Sequence, residues 1–365
     1  MKSSQHSTVT IEIGTKTIFT VVGVILGLVT LFAIRYVILI VFFSFIVAST
    51  LIGPVQRLTA AKVPKWLAVA IVYLTLFALV SIVVFLVSVP FSKETIRFFN
   101  NVPNLFESIA RFINSLLDRV GLEGSAINLS LLQDSLDTWA AEITKNLGNI
   151  VSTGAHGAAG VINIISGLFG GLVTLIAILT MSIYMVYDHD NSISALLKQI
   201  PDSSFRKKVH TLIKDIEHHL GRWLLGQSIS ALSVGIMTFA FLTLLRVQYA
   251  LPLALFATVM TPIPLFGASL SVIPAILVTL AGGTLVQIIG VPIAYFIIQQ
   301  LETHFITPRI MSNAVGLPPI IVIVAILIGS QLYGLPGIII AVPVVAVIHL
   351  GLEFWQSSQK DDPEN

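Results

Sequence analysis

Long apolar runs constrain the fold of this chain more than any other feature of its sequence. A spanning helix needs about 20 apolar residues to cross the hydrocarbon core of a bilayer. Runs of roughly that length or longer cover residues 18–53, 66–90, 161–187, 223–245, 251–283 and 318–350. They predict an all-α fold in which the chain crosses the membrane several times, as a polytopic integral membrane protein.

The composition supports this fold class and removes several classes of function. Of the 365 residues, 55% are hydrophobic and only 10% are charged, whereas about a quarter of the residues in soluble domains are charged. The net charge of +2 is too small to indicate nucleic-acid binding. The chain has no cysteine, which excludes disulfides, thiolate catalysis and cysteine-based metal sites.

Sequence motifs for ATP use and for catalysis are absent. The sequence contains no GxxxxGK[ST] pattern, so the chain is not expected to use ATP, and no GxSxG or HExxH pattern indicates an enzyme. The Asp-His-Asp triplet at 188–190 and the pair His218–His219 invite a metal interpretation. A helical histidine pair that binds a metal needs a spacing of four residues, however. We interpret these residues as solvated positions and predict no metal and no cofactor.

Residues 1–90 are predicted to hold a short cytoplasmic N-terminal tail and three membrane helices. Arg35 interrupts the first apolar run and is expected to snorkel at the membrane interface. The loop at 57–65 carries three basic residues and no acidic one, so the positive-inside rule predicts that it is cytoplasmic. The three helices are expected at about 17–34, 37–53 and 66–90.

Residues 91–160 differ in kind from the rest of the chain. Acidic residues slightly outnumber basic ones there, and apolar residues recur at helical spacing. We predict an extracytoplasmic insert of amphipathic helices; a passive connecting loop is the alternative. Residues 161–222 are predicted to form a fourth membrane helix and a cytoplasmic helical loop with a basic cluster at 206–208.

Residues 223–365 form the predicted transport core and a short cytoplasmic tail. The core opens with a span, 223–245, that contains Gln227, and it continues with two overlong apolar runs. Helix-breaking residues interrupt these two runs: Pro262, Pro264, Gly267 and Pro274 in the first, and the YGLPG sequence at 333–337 and Pro343 in the second. Broken helices at membrane depth need a cover of protein or a water-filled cavity, and they often mark a transporter's site. Re-entrant hairpins and tilted spans both remain open interpretations.

A charged element lies between the two broken runs, where it is costly within or beside a bilayer. A helix over about 286–307, kinked at Pro292, would place Gln299 and Glu302 on one face near its end. Arg309 could neutralise Glu302 across the turn if the helix ends before Pro308. A transport site and an interfacial Glu–Arg anchor are the two hypotheses for this element.

Three stretches resemble the autoinducer-2 exporter family of bacterial and archaeal membrane proteins. They are PIPLFG at 262–267, QQLETHFITPRIMSNAVGLPP at 299–319 and YGLPGIIIAVPVVAV at 333–347. The resemblance covers nearly the whole chain, and Leu265–Phe266 departs from the commoner proline–aromatic version of the first stretch. It implies a transporter with about eight membrane segments that forms oligomers. Relatives have been associated with export of autoinducer-2, and others with sodium/proton antiport.

The leading prediction is a secondary transporter that exports a small polar organic solute, such as an autoinducer-2-like signalling molecule. A cation/proton antiporter that exchanges Na⁺ for H⁺ and a non-transporting membrane scaffold are the alternatives. We expect a multi-pass protein of the plasma or inner membrane, surrounded by lipid and assembled as a homo-oligomer through small-residue surfaces such as GLFGGL at 167–172. The predicted substrate- or ion-binding residues are Glu302, Gln299, Arg309, Pro308, Pro262, Pro264, Gly267 and Gln227.

Overall fold

The computed structural model describes residues 15–82, 94, 97, 98, 101, 171–263, 267–306 and 318–360. Within them the chain is helical with no strand, which confirms the all-α class. Most of the predicted insert at 91–160 lies outside the described residues. The helices are α1 Thr15–Ala33, α2 Arg35–Ala60, α3 Lys65–Ile82, α4 Leu172–Tyr187, α5 His189–Lys198, α6 Ser203–Leu244, α7 Ala250–Met260, α8 Gly267–Gly282, α9 Leu285–Leu301, one π-helical turn Glu302–Ile306, α10 Pro319–Tyr333 and α11 Leu335–Lys360.

Five of the described helices are long and apolar enough to cross a bilayer: α2, α3, α6, α9 with its π-helical turn, and α11. Shorter apolar helices accompany them, among them α4, α7, α8 and α10. The chain is therefore a polytopic α-helical membrane protein, as the apolar runs predicted.

Helix α2 is longer than predicted, because it continues through Pro54 to Ala60 rather than ending at 53. A proline inside a helix costs about 3 kcal/mol, so packing must offset that cost. Leu51 and Val55 flank the proline and are both buried, in a cluster with Ala68 of α3 and Val186 of α4. Tertiary packing here overrides the local signal to stop.

Helix α6 is also longer than predicted. It runs without interruption for 42 residues, so the span predicted to begin at Trp223 is the second half of one helix. Its glycine at 221 does not break the helix. A Cβ on Gly221 would lie 2.7 Å from the carbonyl oxygen of Ser49, so this glycine allows α2 and α6 to approach closely.

The first broken run is a helical hairpin. Its arms, α7 and α8, pack against each other on either side of the break. At 1.5 Å per residue, α7 is only about 16 Å long, too short to cross a hydrocarbon core of about 30 Å. Gly267 is the first residue of the second arm. Only glycine fits at this position without a shift, because a Cβ there would overlap the carbonyl oxygen of Met260.

The second broken run is a hairpin as well, formed by α10 and α11. Gly334 turns the chain with a φ of +62°, a left-handed conformation that glycine adopts without steric cost. Gly329 and Gly337 lie against each other across the two arms, where a Cβ on either one would overlap the other's carbonyl oxygen. Both overlong runs are therefore hairpins rather than single tilted spans.

Three contacts fix α9 antiparallel to α6. At one end, the side-chain amide of Gln287 donates to the carbonyl oxygens of Leu245 at 3.1 Å and Arg246 at 2.9 Å. Ile298 and Val234 pack in the middle, in a cluster with Ala257 of α7. Glu302 meets Ser230 further along. We call the contact of α6, α7 and α9 the seam. We name the two directions along it after the residues they lead to: the Leu285 side, where α9 begins, and the Lys65 side, where α3 begins.

Candidate functional site

Glu302 lies where α9 ends and its π-helical turn begins. The hydroxyl group of Ser230 donates a hydrogen bond of 2.8 Å to its carboxylate. Ser230 is only 5% exposed, whereas Glu302 is half-buried, so one face of the carboxylate remains reachable. Glu302 follows Leu285 by about 25 Å of helix, so it lies in the candidate span Leu285–Ile306, toward the end nearer Lys65.

Gln227 lies one turn before Ser230 on the same face of α6. Its side-chain amide donates to the carbonyl oxygen of Thr261 at 3.1 Å. Thr261 caps the C-terminal end of α7, and the last carbonyl groups of a helix have no partner within that helix. The glutamine therefore stabilises the broken tip of the α7–α8 hairpin next to the Ser230–Glu302 pair.

Gly235 allows α7 to approach α6 at the seam. A Cβ on this glycine would overlap the hydroxyl oxygen of Thr258, which itself donates to the carbonyl oxygen of Ala254 at 2.9 Å. The close approach holds the hairpin tip against α6, where Gln227 can reach it.

The structure describes three further predicted site residues, Gln299, Pro262 and Gly267. The side-chain amide of Gln299 donates to the hydroxyl of Thr303 at 3.2 Å. Pro262 lies in the half-buried turn after α7, and buried Gly267 opens α8. Pro264, Pro308 and Arg309 lie outside the described residues, so the Glu302–Arg309 pair stays a prediction.

Ser230 and Thr258 were not predicted as site residues. A serine or threonine inside an apolar helix is common, and its hydroxyl group usually bonds a carbonyl of its own helix. Ser230 differs because its hydroxyl reaches across to a carboxylate on another helix. The feature of the sequence that indicates Ser230 is its position one helical turn after Gln227.

His189 does not fit the prediction of a solvated residue. One ring nitrogen lies 2.9 Å from the Glu217 carboxylate and the other 3.1 Å from Asp190, and the His189 and Glu217 side chains are each 12% exposed. Lys65 of α3 completes the network with a 3.0 Å ion pair to Asp190. The network forms because α3, α5 and α6 converge on the Lys65 side.

The network shifts the proton affinities of its members. The hydrogen bond that His189 donates to the Glu217 carboxylate is the largest cause that raises the pKa of His189 above its ordinary value, against the opposing effect of burial. Hydrogen bonds from His189 and then Lys65 lower the pKa of Asp190. Among the described residues, no group of three or more histidine, aspartate or glutamate side chains is arranged to hold a metal ion.

A second polar feature lies at the opposite end of the seam. A cavity of about 320 Å³ on the Leu285 side is bordered by the ends of α6, α8 and α9. We call it the Gln287 basin; its polar lining residues are Asn101, Arg246, Gln248, Thr279 and Gln287. Asn101 and Phe98 both contact Tyr249, so these two residues of the predicted insert lie on the Leu285 side, opposite Lys65.

Comparison with known proteins places this architecture among transporters. The family model described as "AI-2E family transporter" matches residues 18–357. YueF of Bacillus subtilis, named "Putative transport protein", is 24% identical over 84% of this chain and 82% of its own length. Relatives with the same descriptive name are 29% identical in Mycobacterium tuberculosis, over 84% of this chain and 79% of the relative, and 23% identical in Haemophilus influenzae, over 84% and 83%.

Proposed function

The chain belongs to the AI-2E transporter family, and on that premise we propose that it is a secondary transporter which exports a small polar organic solute, such as an autoinducer-2-like molecule. The observation that carries the proposal is the hydrogen bond from Ser230 to Glu302 of the candidate span Leu285–Ile306, next to the broken tip of a hairpin. Broken helices expose backbone groups that a polar solute can bind.

The groups at this end of the seam suit a polyol-like solute. The Glu302 carboxylate accepts hydrogen bonds, the Ser230 hydroxyl can donate or accept, and the Gln227 amide does both. A solute with several hydroxyl groups can replace these contacts one by one. Glu302 is half-buried rather than enclosed, which leaves room for a solute on its open face.

Sodium/proton antiport is the second candidate, since Glu302 could itself bind the proton or the cation. Glu302 is the one acidic residue in the sequence between 223 and 306. Antiporters generally use more than one carboxylate near the middle of the membrane, so this count favours the organic solute. A non-transporting scaffold would need no broken helices, and two hairpins argue against it.

The orientation and assembly are part of the proposal. The positive-inside rule supports a cytoplasmic Lys65 side, with the N-terminus also cytoplasmic, in a plasma or inner membrane. The largely apolar exposed faces of α2, α3 and α9 support contact with lipid and with further copies of the chain in a homo-oligomer.

Proteoliposomes provide the test. Efflux of autoinducer-2 and of a panel of small polyols would be measured with an imposed pH or sodium gradient. We expect gradient-dependent solute efflux that Glu302→Gln lowers about tenfold or more, since hydrogen bonds to a charged group contribute about 1.5–3 kcal/mol. The matched control is Glu353→Gln, because that carboxylate is 61% exposed and pairs with His349 of its own helix at 3.2 Å.

The outcomes separate the candidates. Gradient-driven exchange of Na⁺ for H⁺ without movement of any solute would establish the antiporter instead. Wild-type efflux by a folded Glu302→Gln protein would remove Glu302 from the site. Absence of any flux would favour the scaffold.

A further inference from the structure

Two hydroxyl groups, one on α6 and one on α9, are buried without a hydrogen-bond partner among the described residues. They belong to Thr238 of α6, which is 0% exposed, and Tyr295 of α9, which is 8% exposed. A buried polar group left unpaired costs about 1–3 kcal/mol, and removing such a group is often neutral or stabilising. Valine and phenylalanine would fill the same space without that cost.

The register of the seam brings these two residues to the same level. Val234 and Ile298 pack together midway along α6 and α9. Toward the Leu285 side, Thr238 lies four residues from Val234 on α6. In the same direction, Tyr295 lies three residues from Ile298 on α9. Steps of three and four residues stay on one face of a helix, so both side chains lie on the faces that α6 and α9 turn toward the seam.

The level of the two hydroxyls lies between the two polar ends of the seam. Ser230 and Glu302 are about 10–12 Å of helix away in one direction. In the other direction, Leu242, Leu253 and Val291 form an apolar layer with the ring of Tyr295 before the Gln287 basin. Val234 and Ile298 form a second apolar layer before Glu302.

We propose that Thr238 and Tyr295 form a second solute-binding position in the seam, which hydrogen-bonds the hydroxyl or carbonyl groups of a small polar solute between the Gln287 basin and Glu302. The two apolar layers close the seam in the arrangement seen here, and the hydroxyls gain their partner when a solute enters. This inference rests on the proposed transport function and adds to it the route of the solute. Tyrosine and threonine hydroxyls both donate and accept, which matches an uncharged polyol-like ligand.

Variants that remove only the hydroxyl test the position. Tyr295→Phe and Thr238→Val would each be reconstituted and assayed for autoinducer-2 efflux at limiting concentration, with thermal unfolding measured in parallel. We expect efflux to fall about three- to tenfold, the effect of one neutral hydrogen bond to the solute, with an unchanged or higher Tm. Thr238→Ser keeps the hydroxyl and should keep most of the efflux.

Tyr73→Phe is the matched control, because the Tyr73 hydroxyl already has a partner in Ser182, which is 0% exposed. It should lower the Tm and leave efflux unchanged. Wild-type efflux in Tyr295→Phe and Thr238→Val would overturn this inference and leave the proposed function standing. A loss of efflux matched by a loss of Tm would overturn it too, as a packing effect, and absence of efflux in the wild-type protein would overturn both proposals.

Discussion

Replacing Gly235 with alanine tests the contact between α6 and α7 quantitatively. The added Cβ would overlap the hydroxyl oxygen of Thr258 and would lie 3.3 Å from its Cβ and 3.6 Å from the carbonyl oxygen of Ala254. The hydroxyl cannot rotate away without cost, because it donates to that carbonyl at 2.9 Å. Either the hydrogen bond is lost or the helices separate, and overpacking of this kind costs about 1–3 kcal/mol.

Helix propensity acts in the opposite direction. Alanine is favoured over glycine in a helix interior by about 1 kcal/mol. In the wild-type background we therefore expect Gly235→Ala to destabilise the protein by about 0–2 kcal/mol. With Thr258→Ala already present, the overlapping oxygen is gone, and the same substitution should stabilise by up to about 1 kcal/mol. The difference between backgrounds is the coupling energy of the pair.

The assay is a double-mutant cycle by thermal unfolding in mild detergent, followed by circular dichroism. Gly351→Ala is the control, since a Cβ at that position of α11 meets nothing within 4 Å and should give the propensity gain alone. An equal effect of Gly235→Ala with and without Thr258 would refute the packing of the hairpin on α6 described above.

Three further expectations concern the pH dependence of stability, one turn and the membrane topology. The raised pKa of His189 contributes stability that is complete below its unfolded pKa of about 6.5 and is lost as pH rises through the higher folded-state pKa. The Tm should therefore fall over that pH interval. A His189→Gln protein that showed the same fall would exclude the Glu217 contact as its cause. Gly334→Ala should lower the Tm by the equivalent of about 1 kcal/mol, since alanine is strained at a φ of +62°, and an unchanged Tm would argue against that turn. Single cysteines at Ser115 and Ser204 should be labelled from opposite sides of the membrane, and labelling of both from one side would contradict the topology.

The breaks in the two overlong runs could be predicted from the sequence, but their geometry could not. Proline and glycine reveal where backbone hydrogen bonds are lost, and the turn at Gly334 lies within the predicted YGLPG break. Whether the flanking helices fold back depends on contacts between the arms, such as the approach of Gly329 to Gly337. That contact appears only once the pairing of the arms is known.

In the candidate site, too, the sequence indicates some of the polar residues but not the partners that they contact. Gln227 and Glu302 stand out in the sequence because their polar side chains are costly in an apolar span. Ser230 does not, since serine can bond a carbonyl of its own helix, as Ser44 and Ser228 do at 2.7 and 2.8 Å. The sequence around His189 is misleading for a related reason: the burial of His189 depends on Glu217, which lies 28 residues away in the chain.

The continuity of α6 has a mechanical consequence. Because no break separates its two halves, a tilt of α6 about Gly221, where it packs closely on α2, would move its two ends in opposite directions. Glu217 lies just on one side of that point, and Ser230 lies about 13 Å along the other arm. A tilt of about 5° would displace the Leu244 end by about 3 Å and the Ser203 end by about 2 Å in the opposite direction. Such a tilt would shift Glu217 and Ser230 in opposite directions, so a change in the packing around the His189 network would also change how α6 fits against α7 and α9.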